Sequence, residues 1–78
     1  MTIARRKISR YVLCLRNRGF AASLEVRKVY RLRPDPEAER HRLLRVIDET
    51  GEDYLYPEKL FVPIDIPREA IAVLSSAV

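Results

Sequence analysis

Residues 48–64, DETGEDYLYPEKLFVPI, join a turn signal to strand-forming flanks on both sides. Asp48-Glu49-Thr50-Gly51 has an acid at its first position and glycine at its fourth. That pattern suits a type I turn closed by a left-handed residue, the usual three-residue hairpin loop. Glycine takes positive φ without a Cβ clash. Leu43, Leu44, Val46 and Ile47 precede the turn, and Tyr54, Leu55 and Tyr56 follow it. Such residues favour strands, so the stretch predicts a β-hairpin. Pro57 has no N–H for a ladder and ends the second strand. Glu58-Lys59-Leu60 is expected to form a single 3₁₀ turn. A third strand then runs through Phe61-Val62-Pro63-Ile64, with Val62, Ile64 and Ile66 on one face by period two. Pro63 predicts an edge position or a bend.

Upstream, Tyr11-Val12-Leu13-Cys14-Leu15 is an apolar run of strand length. Asn17-Arg18-Gly19-Phe20 reads as a turn. Leu24-Glu25-Val26 is expected to be extended, with Leu24 and Val26 on one side. Arg27-Lys28 is expected to make a corner. Val29-Tyr30-Arg31-Leu32 is a strand in which Tyr30 and Leu32 share a face. Between the strands, Asp35 can cap a helical turn with Pro36 at its first position and Glu37 and Glu39 near its positive end. Pro67 can start a C-terminal helix, with Ala70, Ile71, Val73 and Leu74 forming an apolar stripe.

The chain has 78 residues, which suits one domain. Three segments are expected: a basic arm over 1–10, a β domain over 11–66, and a helix or tail over 67–78. No apolar run is long enough to cross a bilayer, and the first residues lack the apolar core of a secretory signal. One cysteine makes no internal disulfide, so a reducing cytoplasm is the expected setting.

Charge is distributed unevenly along the chain. Residues 1–33 carry ten Lys and Arg and one acid, whereas residues 34–78 carry five Lys and Arg and ten acids. The split fits an anionic partner for the first half, or head-to-tail self-association. It equally fits strands that interleave and pair their charges. In the arm, Arg5, Arg6 and Lys7 could meet phosphates or stay solvated.

Five short strands joined by loops with one helical turn resemble a Src-homology-3-like barrel. Residues Leu24–Leu32 resemble the segment after the long first loop of such domains. Tyr54-Leu55-Tyr56-Pro57-Glu58-Lys59-Leu60-Phe61-Val62 resembles their closing strand, proline corner and last strand, with one extra residue in the corner. The chain is also similar to short bacterial proteins of unsettled function built as one such barrel. Cys14, Asn17, Gly19, Phe20, Ser23-Leu24-Glu25, Lys28, Tyr30 and the run Asp48–Pro57 carry that likeness. Arg27 stands where glycine is more usual. The resemblance implies an all-β, five-stranded barrel. The signalling branch of that fold holds proline-rich peptides on a ledge of aromatics with a groove tryptophan. This chain has no tryptophan.

Enzymatic chemistry is not expected. The single Cys14 lies in an apolar run, and the single His41 lies between two arginines in a polar loop. The two glycines stand at turns rather than in a phosphate loop. The acids around Asp48 lack the spacing of a calcium loop. No cofactor and no metal are expected. The first functional expectation is a protein-binding or assembly module, monomeric or weakly homo-oligomeric. Its contact face would be Phe20, Tyr54 and Tyr56 with the acidic turn. The alternative is a nucleic-acid-binding barrel. There Arg16, Arg18, Arg27, Lys28, Arg31 and Arg33 would meet phosphates, with Phe20 or Tyr30 stacking on bases.

Overall fold

Alternation of apolar and polar residues produces most of the sheet. In a computed structural model, which describes residues 10–48 and 50–76 (side chains to 73), five strands form. They are β1 (Tyr11–Cys14), β2 (Val29–Arg33), β3 (Leu43–Ile47), β4 (Asp53–Pro57) and β5 (Phe61–Ile64). Helix α1 (Pro36–Arg40) joins β2 to β3, a 3₁₀ turn (Glu58–Leu60) joins β4 to β5, and α2 (Arg68–Ser76) follows. The expected basic arm, including Arg5, Arg6 and Lys7, lies outside the described residues apart from Arg10. So do Glu49 and the side chain of Leu74.

The strands form one antiparallel sheet in the order β4-β3-β2-β1-β5. The protein is mainly β, as the sequence predicts. β4 and β5 are the two edges and do not pair, so the sheet is not closed into a barrel. Pro63 does sit in an edge strand.

One face of the sheet forms the core. Val12 and Cys14 of β1, Tyr30 and Leu32 of β2, Leu44 and Val46 of β3, Tyr56 of β4 and Phe61 of β5 are buried together. Leu24, from the long β1–β2 connection, and Leu60, from the 3₁₀ turn, close the core. The alternate residues, among them Arg31, Arg33 and Arg45, project from the other face.

The β3–β4 connection closes on a left-handed glycine, as the sequence predicts. The Asp48 amide donates to the Glu52 carbonyl at 2.8 Å, and the Gly51 amide donates to the Asp48 carbonyl at 3.0 Å. Gly51 has φ +90°. The Asp48 carboxylate accepts from the Thr50 hydroxyl at 2.6 Å, the Thr50 amide at 2.8 Å and the Glu52 amide at 3.2 Å. These bonds, the Thr50 hydroxyl foremost, hold its pKa below the ordinary value.

The expected extended piece at Leu24-Glu25-Val26 forms no strand, and its two apolar residues part. Leu24 is 2% exposed whereas Val26 is 38% exposed, because the chain turns at Val26 and Arg27. Arg27 adopts φ 72°, a left-handed conformation that costs most L-residues about 1–2 kcal/mol. The Arg27 amide donates to the Cys14 carbonyl at 2.7 Å, and the Cys14 amide donates to the Lys28 carbonyl at 2.9 Å. The ladder to β1 therefore forces the corner. Leu24 itself is held by its amide's bond to the Phe20 carbonyl at 2.9 Å and by the Asn17 side-chain amide, which donates to the Leu24 carbonyl at 2.9 Å.

The outer face carries a chain of charges. Arg33 and Arg45 stand directly opposite each other on β2 and β3, a repulsive arrangement on its own. Asp53 of β4 bridges them, accepting from Arg33 at 2.8 Å and from Arg45 at 2.9 Å. Arg45 also donates to Asp35 at 2.8 Å, and Asp35 accepts the Ala38 amide at 3.1 Å as the cap of α1. One network thus joins three strands and a helix start. Arg45 hydrogen bonding is the main reason that Asp35 and Asp53 both titrate below their ordinary value.

At the C-terminal end, Ile71 is 37% and Val73 66% exposed, so of these two stripe residues only Val73 stands largely in solvent. Among the described residues no helix is long and apolar enough to cross a membrane.

Three outcomes follow from this packing. Leu24→Ala should lower stability by about 2–4 kcal/mol in chemical denaturation, since it empties a fully enclosed site. Arg27→Gly should raise stability by about 0.5–1 kcal/mol, the relief of left-handed strain less the added freedom of the unfolded chain; a loss would locate the corner's stability in the arginine side chain instead. The lowered aspartate pKa values stabilise the fold above the ordinary carboxylate range, about pH 4, and that contribution is lost as pH falls through the folded values. Melts from neutral to acid pH should therefore show a smaller acid loss for Asp53→Asn than for wild type.

Candidate functional site

The sheet ends in a depression where the exit of β1 meets the 3₁₀ turn. The Leu15 amide donates to the Leu60 carbonyl at 2.8 Å, which draws the turn against the chain leaving β1. The Arg16 guanidinium reaches the Lys59 carbonyl at 3.4 Å. A hollow of about 520 Å³ results, lined by Arg16, Arg18, Phe20, Pro57, Lys59 and Leu60. Arg16, Arg18 and Lys59 are exposed, Phe20 and Pro57 are half-buried, and Leu60 is buried. Three cations therefore surround an apolar floor, and no carboxylate lines it among the described residues.

Phe20 is held at its base by aromatic contacts. Its ring meets Tyr56 edge to face at 5.2 Å between centroids. Tyr56 in turn meets Phe61 at 6.3 Å, and Phe61 meets Tyr30 at 6.3 Å. The Tyr56 hydroxyl lies 3.1 Å from the Ser23 hydroxyl in a hydrogen bond across the connection. Such edge-to-face pairs fix ring orientation and contribute about 0.5–1.5 kcal/mol each beyond area burial.

The expected protein-contact trio is divided by this arrangement. Phe20 belongs to the hollow, and Tyr56 is only 6% exposed beneath it as a core residue. Tyr54 remains 47% exposed, and its hydroxyl donates to Glu52 at 2.6 Å. That bond favours the phenol over the phenolate and raises the pKa of Tyr54.

The expected nucleic-acid set is likewise distributed. Arg16 and Arg18 line the hollow beside Phe20. Arg27 occupies the left-handed corner, and the Lys28 ammonium lies 5.3 Å from the centroid of the Tyr30 ring. Arg31 and Arg33 alternate with buried Tyr30 and Leu32, so they belong to the outer face, where Arg33 is bound by Asp53. Lys59, from the acidic half of the chain, joins Arg16 and Arg18 instead. Sequence separation hid that grouping, because only the 3₁₀ turn's return to β1 creates it.

Groups with nucleophilic or acid–base character lie elsewhere. Cys14 is fully buried, its thiol donates to the Arg16 carbonyl at 3.3 Å, and burial raises its pKa. It is therefore a protonated thiol at neutral pH. His41 caps the end of α1 on the surface, beside Glu37 at 3.4 Å. Among the described residues no three His, Cys, Asp or Glu side chains gather to hold a metal ion. Comparison with protein-family models, with curated proteins and with solved structures finds no match.

Proposed function

We propose that this chain is a non-enzymatic binding module that takes an acidic segment of a protein partner into the hollow. The observation that carries this is the convergence of Arg16, Arg18 and Lys59 around Phe20, Pro57 and Leu60. Carboxylates would meet the cations, and an apolar or aromatic side chain would lie against Phe20 and Leu60. The guanidinium groups suit carboxylates by their forked donors. Phe20 is pre-positioned by Tyr56, which lowers the ordering cost of binding.

The architecture we propose is Src-homology-3-like. Its supports are the strand order β4-β3-β2-β1-β5 and the 3₁₀ turn that carries the chain from one edge to the other. Kinship with short bacterial proteins of that build belongs to the same proposal. So does a cytoplasmic setting, where the buried, unpaired Cys14 would stay reduced.

A second reading is single-stranded nucleic acid, with Phe20 as a stacking platform and Arg16 and Arg18 on phosphates. The pairing of one half-buried aromatic with two exposed arginines favours it. The separation of Arg31 and Arg33 onto the outer face weighs against a long nucleic-acid track.

An NMR titration decides between them. The probes are a peptide alternating Glu or Asp with Leu or Phe, and mixed-sequence single-stranded DNA and RNA, at low and moderate salt. The peptide should shift the amides of Arg16, Phe20 and Lys59, and Arg16→Ala with Lys59→Ala should weaken it at least about tenfold, as the loss of two charged contacts implies. Shifts with the oligonucleotides alone, falling steeply with salt, would favour the second reading. No shifts in the hollow with any probe would end both.

A further inference from the structure

The two edges of the sheet are not equivalent. Around β4 the hydrogen-bond phase is set at both ends: the Asp48 amide donates to the Glu52 carbonyl, and the Glu58 amide donates to the Arg42 carbonyl. Antiparallel pairs alternate between bonded and non-bonded. With Val46 opposite Tyr54 and Leu44 opposite Tyr56 as bonded pairs, Asp53 and Leu55 are the non-bonded ones. Their N–H and C=O groups therefore point away from β3, to the open edge.

At β5 the same reasoning gives a different result. The Leu15 bond to Leu60 makes Leu13–Val62 a bonded pair and turns Phe61 and Pro63 outward. The Phe61 N–H is already used by the Glu58 carbonyl, and Pro63 has none. The β5 edge thus offers no donor, a common way to blunt an edge. Among the described residues the β4 edge has no such protection. It also carries Tyr54 on one face, 47% exposed, and Leu55 on the other, 40% exposed.

We propose that β4 pairs antiparallel with β4 of a second copy, across a two-fold axis at Tyr54. In that register Asp53 of each copy faces Leu55 of the other, and every outward donor meets an outward acceptor. An axis at Asp53 would set two carboxylates opposite each other, which is repulsive. An axis at Leu55 would set Asp53 opposite Pro57, which has no N–H to return the bond. With the axis at Tyr54, the two Tyr54 rings form a close non-bonded pair on one face. Leu55 of the second copy lies beside Asp53, whose charge Arg33 and Arg45 already balance.

Charge supports the same pairing. Glu52 of one copy comes opposite Tyr56 of the other, and Gly51 comes opposite Pro57. The acidic turn bearing Asp48 and Glu52 is thereby directed toward the 3₁₀ turn of the second copy. Lys59 stands there with Arg16 and Arg18 behind it, while Glu58 is engaged by Arg42 at 3.9 Å. The uneven charge of the chain becomes complementary between copies. Backbone pairing along the β4 edge carries the interface and the cations of the hollow only flank it, so this inference goes beyond the proposed ligand and survives its failure.

The test is sedimentation velocity over a concentration series up to millimolar protein, with amide hydrogen exchange at its two ends. The expected result is a monomer–dimer equilibrium weakened by salt, with exchange at the Asp53 and Leu55 amides slowing at least about tenfold as dimer accumulates. Tyr54→Lys should remain folded by circular dichroism and stay monomeric, since it places like charges across the axis. A wild-type monomer throughout would overturn the proposal. So would a dimer in which those two amides exchange unchanged, or one that Tyr54→Lys does not weaken.

Discussion

The bond from the Leu15 amide to the Leu60 carbonyl joins the two ends of the fold. It seats the 3₁₀ turn on the exit of β1, and β5 can then pair with β1 along Tyr11–Cys14. The same seating buries Leu60 and Phe61 in the core and sets Lys59 beside Arg16. Without it the β2–β3–β4 meander would lose Leu60 and Phe61 from the core that holds Tyr56. An isolated hairpin is marginally stable at best, and added strands over an apolar face are what give a small sheet independent stability.

Cover for that core comes from side chains on loops as well as from strands. Leu24 and Leu60 are among the most deeply buried residues, yet neither lies in a strand. Phe20 stands half in this core and half in the hollow, so recognition there would draw on rigidity that folding has already supplied. The left-handed corner at Arg27 shows the accompanying cost. A side chain is tolerated where backbone geometry would suit glycine, because the ladder bonds to Cys14 over-determine the turn.

Electrostatics serves different ends on different surfaces. On the outer face, opposed arginines are made compatible by Asp53 and Asp35, and α1 is tied to the sheet as a result. In the hollow, three cations converge without a carboxylate among the lining residues. A count of charges by sequence half distinguishes neither case. Arg33, counted with the basic half, is bound by Asp53, whereas Lys59, counted with the acidic half, stands with Arg16 and Arg18.

Local chemistry was enough to determine the strands, the Asp48–Gly51 turn, the Asp35 cap and the 3₁₀ turn, and to restrict Pro63 to an edge or a bend. Each rests on a dihedral preference or a missing donor that acts within a few residues. The sequence also placed Tyr30 and Leu32 on one face, since strand alternation is local. It did not separate Leu24 from Val26, because the reversal at Arg27 is imposed by β1 rather than by the residues of the corner. Nor did it set Tyr56 under Phe20, or Lys59 beside Arg16 and Arg18. Those groupings depend on contacts between residues more than thirty positions apart, and only the tertiary structure decides them.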